Sequence, residues 1–283
     1  MSEEENPKKE NPVFGRKIFF IEPPPNVFPF VTNKLREMEY EVYTISNWRF
    51  ARAILKNNPD AICFCNIDNQ AMSARAWLNY IKSYNDDEAL NTTIMGVLSS
   101  RARRADRENF LNNTVLDAGY IVTSVGNTEL LDSIKSVLDI NGAKGRRQYV
   151  RASTATNPMA QIVCEKNNQM FTMQLLDISS VGFACKVENS DSALFVKNSL
   201  LKNFTLRLNN KQIISSAVIF AIKPGNDFST LVMLFLPNQL PQNKPAIQEF
   251  IAKTLELTTL GDISKGEEDM LDYEHYGAEE KEA

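Results

Sequence analysis

Histidine is almost missing from this chain. Its one copy, His275, lies in an acidic stretch near the C-terminus. That excludes a Ser-His-Asp triad, a His-x-x-x-His metal helix and any histidine-rich centre in the folded part. Cysteine is scarce too. Cys63, Cys65, Cys164 and Cys185 form no Cys-x-x-Cys spacing and each sits among apolar residues, so they read as small buried hydrophobes and not as a zinc, redox or disulfide framework. Long apolar runs are absent. Val218–Ile222 and Leu231–Leu236 are strand-sized, far from the ~18 residues of a membrane span. The leader, residues 1–14, is polar and of mixed charge, without the apolar core of a signal peptide. The expectation is a cytoplasmic protein with no membrane insertion.

What remains is an ordinary globular composition, 43% apolar and 23% charged over 283 residues, a length that suggests two domains. Charge is uneven. From Gly261 to Ala283, nine acids and two lysines give −7, which leaves +3 on residues 1–260 against the total of −4. That stretch, 261–283, is low in apolar residues and is expected to be a disordered acidic tail. The rest is mildly basic, which permits an anionic ligand.

Two rhythms divide the chain. Residues 15–141 alternate short apolar runs with helical patterns. Strands are predicted at Lys17–Ile21, Glu41–Ile45, Ala61–Ile67, Thr93–Leu98 and Gly119–Ser124. Helices are predicted at Asn26–Met38, Asn47–Asn57 (capped by Ser46), Ala71–Ser83, Arg103–Asn112 and Thr128–Ile140. Continuous apolar strands in strict alternation with helices argue for a parallel sheet covered on both faces. From residue 142 to 260 the pattern is β-rich. Predicted strands begin at Tyr149 and end at Leu236, with turn signals at Asn167-Asn168, Asn209-Asn210 and Pro224-Gly225. This argues for a small antiparallel barrel or sandwich. One helix, Pro245–Leu257, closes it with Ile247, Phe250, Ile251, Thr254 and Leu255 on one face.

The junction carries the chemistry. Arg146, Arg147 and Arg151 surround Tyr149, and Asp177, Ser179 and Gly182 follow some twenty-six residues after Arg151. A guanidinium can chelate phosphate, bond the O6/N7 edge of guanine or stack on its face. Asp177 is an acceptor suited to the N1/N2 donors of guanine, Ser179 donates or accepts, and Gly182 permits a turn and a close backbone approach. Together these form a pocket for an anionic guanine nucleotide. With no base, metal cluster or activated nucleophile beside it, binding is expected and not turnover.

Arg147-Gln-Tyr-Val-Arg151 and Asp177-Ile-Ser-Ser-Val-Gly182 together match the RxxxR and [D/N]xSxxG signature of the PilZ domain. Residues from about Arg146 to Leu257, roughly two fifths of the chain, resemble this bacterial receptor for cyclic di-GMP. The resemblance implies a six-stranded antiparallel barrel with a closing helix, the arginine segment wrapping over the ligand, and Asp177, Ser179 and Gly182 on the barrel side. Arg146, just ahead of the motif, implies two mutually intercalated ligand molecules, as in similar domains.

Residues 15–141 resemble a response-regulator receiver with its motifs damaged. Glu22 is followed by Pro23, Pro24 and Pro25 in place of an acidic pair. Cys65 stands at the phosphoacceptor position, with Asn66 and Asp68 after it. Ser99 or Ser100 can stand for the hydroxyl, and the lysine after the fifth strand is missing. Metal-assisted phosphoryl transfer thus lacks its charge-neutralising parts. An interaction or homodimerisation module is expected, although Asp68 and Glu22 could keep a weak metal site. Arg101, Arg103, Arg104 and Arg107 read as a solvated loop and first helical turn, offset by Asp106 and Glu108, and without interleaved aromatics. No DNA or RNA partner is expected. The reading is a non-enzymatic cyclic di-GMP effector that alters interdomain arrangement and contacts with a protein partner, in motility or a related behaviour. The alternative is a ligand-independent PilZ-like adaptor.

Overall fold

Five parallel strands, β1 (Ile18–Ile21), β2 (Val42–Ile45), β3 (Ile62–Asn66), β4 (Ile94–Ser99) and β5 (Gly119–Val122), lie in the order β2-β1-β3-β4-β5 in the computed structural model. The structure describes residues 14–25, 28–101, 103–261 and 268–276. The strands are short and almost wholly buried because helices cover both faces: β1 reads IFFI with all four residues buried. The helices are α1 (Phe28–Glu37), α2 (Ala51–Lys56), α3 (Ala74–Asn85), α4 (Arg104–Asn113) and α5 (Asn127–Ile140). This is the doubly wound order, with its switch point between β1 and β3. Between β2 and α2 the predicted single helix is instead a 3-10 turn, Trp48–Phe50, running into α2. Asn47, and not Ser46, caps it by accepting from the Arg49 amide at 3.1 Å. Trp48, Ala51, Ile54 and Leu55 still share the buried face.

The second half is β6 (Arg151–Ser153), β7 (Ala160–Lys166), β8 (Gln169–Ser179), β9 (Gly182–Glu188), β10 (Leu200–Leu208), β11 (Lys211–Lys223) and β12 (Phe228–Phe235), followed by α6 (Leu240–Leu260). Six of these strands close in the order β8-β7-β10-β11-β12-β9, because β9 also pairs with β8, and β6 adds to the outside of β8. Closure leaves few open edges. The alternating residues that point inward, such as Ile162, Leu175, Cys185, Phe204, Leu206 and Met233, form one core. Ile247, Phe250 and Ile251 of α6 join it. α6 starts ahead of the predicted Pro245. A proline at its first turn is tolerated where no amide partner is needed, and Pro245 lies inside the helix.

The chain divides into two units, Met1–Gln148 with Ile263–Ala283, and Tyr149–Asp262. The division falls later than the expected boundary at residue 142. The Gly15 amide donates to the carbonyls of Gly142 (2.9 Å) and Lys144 (3.2 Å), which ties the start of the connecting segment to the first unit. The expectation of a disordered tail does not hold for residues 268–276: Asp269 and Tyr273 are buried at 7% and 3% exposure. Asp269, one of the acids that look like solvated tail in composition, is here paired with Arg52. The rest of the expected tail, apart from Gly261, lies outside the described residues, as does most of the leader.

At the start of β9, a Cβ on Gly182 would sit 2.3 Å from the Met233 carbonyl oxygen of β12, a backbone atom with nowhere to go. Gly182→Ala is therefore expected to cost the barrel about 1–3 kcal/mol through forced separation of β9 and β12. A thermal melt matching that of the wild type would contradict this.

Candidate functional site

The candidate site in the second unit is built on a three-strand ribbon. β6 pairs with β8 so that Arg151 faces Ser179 and Ser153 faces Asp177, while β8 pairs with β9 so that Ser179 faces Gly182. Ile178 points into the barrel core, which by strand alternation turns Asp177 and Ser179 to the outer face alongside Arg151. Asp-Ile-Ser is thus the end of a strand, and the turn is only Ser180-Val181. The Ser179 hydroxyl donates to the Gly182 carbonyl at 3.0 Å and braces the hairpin, and its lone pairs remain for an incoming donor. Gly182 serves through close approach to β12 and not through a left-handed turn.

Arg151 Nη1 stands 3.9 Å from Asp177 Oδ1, with both side chains about half exposed at 52% and 40%. Such a pair is worth about 0–1 kcal/mol, so either group can turn to a ligand at little cost. Around them is a concavity of about 310 Å³, lined also by Gly182, Phe220, Lys223 and Leu234. The structure brings Arg151, Asp177, Ser179 and Gly182 together. Arg146 and Arg147 lie exposed on the connecting segment before β6. Phe220 and Lys223 were not predicted as site residues. Phe220 sits at the register shift of β11 between Ile219 and Ala221 and is 55% exposed. A large aromatic turned outward from an otherwise apolar strand was the one signal for it, and it cannot be told from a core residue without the register.

At the carboxyl ends of β1, β3 and β4 lie Glu22, Asn66, Asp68, Ser99 and Ser100, the positions that the receiver resemblance singled out. Glu22 adopts φ 49° and its carboxylate accepts from the Trp48 amide (3.1 Å) and Asn69 Nδ2 (2.9 Å). Asn66 Nδ2 donates to the Glu22 carbonyl at 2.7 Å. Burial raises the Glu22 carboxyl above the usual range, against the pull of those two bonds. Cys65 is wholly buried and offers no oxygen ligand. Asp68 accepts from Ser99 Oγ (2.8 Å), Ser100 Oγ (2.6 Å) and the Ser100 amide, with Arg101 Nε at 3.5 Å. Both Ser99 and Ser100 therefore serve the same carboxylate. Among the described residues no group of three His, Cys, Asp or Glu side chains could hold a metal. The arginine cluster is dispersed: Arg101 pairs with Asp68, Arg104 with Glu108 at 2.6 Å, and Arg107 lies over the Tyr120 ring. No described helix is long and apolar enough to cross a membrane. All four cysteines are free and buried, and burial pushes the Cys164 thiol up to about 11.

Desolvation alone would raise Asp68, but the bonds from Ser100 and Ser99 and the charge of Arg101 outweigh it and hold the carboxyl below its ordinary 3.8. Its stabilising contribution is complete above that ordinary value and is lost as pH falls through the lowered folded value. Asp68→Asn is expected to destabilise the first unit by about 1–2 kcal/mol at pH 7. The difference from wild type should shrink at a pH well below 3.8, once the lowered folded value is also passed and both side chains are neutral. Denaturant melts at the two pH values test this, and an unchanged difference would refute it.

No family model and no curated protein matches the chain. Solved structures do. The PilZ domain with c-di-GMP of YcgR from Escherichia coli is 18% identical, with TM-score 0.37, covering 42% of this chain and 99% of that one. The MrkH–c-di-GMP complex of K. pneumonia is 20% identical, with TM-score 0.33, over 41% of this chain and 53%, about half, of that one. The chemotaxis response regulator CheY4 of Vibrio cholerae is 15% identical, with TM-score 0.35, over 44% of this chain and 98% of that one.

Proposed function

We propose that this chain is a cyclic di-GMP effector whose ligand sits on the outer face of the β6–β8–β9 ribbon. One observation carries the reading: Arg151 and, some twenty-six residues later, Asp177, Ser179 and Gly182 line one shallow concavity whose polar groups match a guanine and a phosphodiester. Asp177 accepts from the N1 and N2 donors of a guanine. Arg151, released from its weak pair with Asp177, chelates a phosphate or stacks on a base. Arg147 and Arg146, exposed on the connecting segment, close over the ligand and supply the remaining cationic planes. Phe220 adds an aromatic surface on which a base can stack. Nothing in this arrangement activates water or a nucleophile, so the ligand is a signal and not a substrate. Its product is an ordered connecting segment, which changes what that part of the protein presents to a protein partner.

Calorimetric titration of the whole chain with cyclic di-GMP, with GTP and cyclic di-AMP as controls, tests the reading. Selective saturable binding is expected. The stoichiometry reads the role of Arg146, with two ligands per chain expected and one after Arg146→Ala. Arg151→Ala removes a charge-assisted contact worth ~1.5–3 kcal/mol, so affinity should fall about tenfold or more. Asp177→Ala should weaken binding too, with less salt dependence because its partner is a base. Both variants should melt like wild type, since the pair they break is exposed. Absence of heat, confirmed by an unshifted melting temperature with ligand, would overturn the reading and put the ligand-independent adaptor in its place.

A further inference from the structure

Residues 268–276 have no regular secondary structure, yet they dock on the first unit with the specificity of a bound peptide. Asp269 enters at 2% side-chain exposure and receives Arg52 Nε at 2.9 Å. Its own amide donates to the Arg49 carbonyl at 2.7 Å. Tyr273 packs edge-on to Trp48 and Tyr80, with ring centroids 5.8 and 5.1 Å away. Arg52 Nη2 reaches its hydroxyl at 3.1 Å, and Asn79 Nδ2 donates to its carbonyl at 2.8 Å. Glu274 accepts from the amide (3.3 Å) and hydroxyl (2.8 Å) of Ser73, the residue that caps α3. There an acid also meets the positive end of the helix. Between the anchors, Met270 and Leu271 are 82% and 49% exposed, so the segment is held by a few side chains and not by a continuous apolar face.

The receptor side is built to receive a carboxylate. Arg52 is itself only 14% exposed, stacks on the Tyr84 ring at 4.4 Å, and sends Nη1 to Asp87 at 2.9 Å. Its Nη2 is also fixed by Ser83 Oγ. With these partners supplied by the first unit's own helices, Nε stays aimed at the second carboxylate position, the one Asp269 fills. A rigid guanidinium, an aromatic corner and a capped helix start in one place form a recognition site for a short peptide.

We propose that this face, made by the Trp48–Lys56 turn and α3, is a docking site for acidic-aromatic segments: a carboxylate four residues ahead of a tyrosine that an acid follows. The chain fills it in cis with Asp269, Tyr273 and Glu274, and a partner protein's segment of the same kind enters by displacing them. Tethering gives the resident segment an effective concentration in the millimolar range, so a competitor is held out until the resident segment is weakened. The inference stands apart from the nucleotide reading and uses none of its residues.

The test is fluorescence anisotropy of a labelled peptide covering residues 267–277 against the full chain. Tyr273→Ala empties the aromatic corner, and the near-isosteric Asp269→Asn removes only the charge. Circular dichroism checks that each variant is folded. The peptide should bind at least one of these variants saturably and about tenfold or more tighter than wild type. Adding Arg52→Ala to that variant, or replacing the peptide's own tyrosine by alanine, should abolish binding. No binding to either variant, equal binding to wild type, or binding that survives Arg52→Ala would each overturn the proposal.

Discussion

The second unit depends on one contact that a side chain would forbid. β9 can lie between β8 and β12, and so close the barrel, only because position 182 carries no Cβ and the Met233 carbonyl can come that near. Closure fixes the β8–β9 hairpin, the hairpin fixes the pleat of Asp177 and Ser179, and the pairing of β6 then sets Arg151 opposite Ser179. The Ser179 hydroxyl locks the same hairpin from its outer side. A site whose polar groups lie on paired strands loses little entropy when it binds, and that preorganisation offsets its shallowness.

The first unit treats its polar groups differently. Its strand order places Glu22, Asn66, Asp68 and the Ser99–Ser100 pair at the carboxyl end of the sheet, where an α/β fold normally presents ligands. Here each charge is consumed by the fold. Glu22 holds the turn before α2 through the Trp48 amide, and Asp68 collects the hydroxyls and amide that follow β4. A carboxylate accepting several hydrogen bonds gains nothing by giving them up to a cation that finds no second and third oxygen ligand. The bonds that occupy these carboxylates are also bonds that hold the fold.

Much of this was legible beforehand. Strands alternating with helices, five times over, argued for the parallel sheet, and continuous apolar runs such as Ala61–Ile67 supported it. The antiparallel half was marked by alternation and by Asn-Asn turns, and Asn167, Asn168 and Asn209 do take positive φ. The motif residues were legible as types, because guanidinium, carboxylate and hydroxyl each suit a guanine nucleotide. Three things were not. The register that places Phe220 at the rim depends on a bulge, which no local pattern encodes. The run from Trp48 splits into a 3-10 turn and a short helix, with Asn47 and not Ser46 at its cap. The docking of Asp269 and Tyr273 depends on Arg52, more than two hundred residues upstream, and composition over a window of acids points the other way.

That last failure bears on how the two units are joined. The chain passes from the first unit to the second after Gln148 and returns after Asp262. Within the first unit, Asp269 is held by a buried ion pair with Arg52, whose charges left water at a cost of several kcal/mol each. The first crossing is different. Arg146 and Arg147 there are exposed, and ordering such a segment costs about 1–2 kcal/mol per residue. On the proposed reading the nucleotide meets that cost through the arginines themselves. On that reading the charges of the ligand order the segment that carries Arg146 and Arg147, whereas Asp269 is held by Arg52 of the first unit itself.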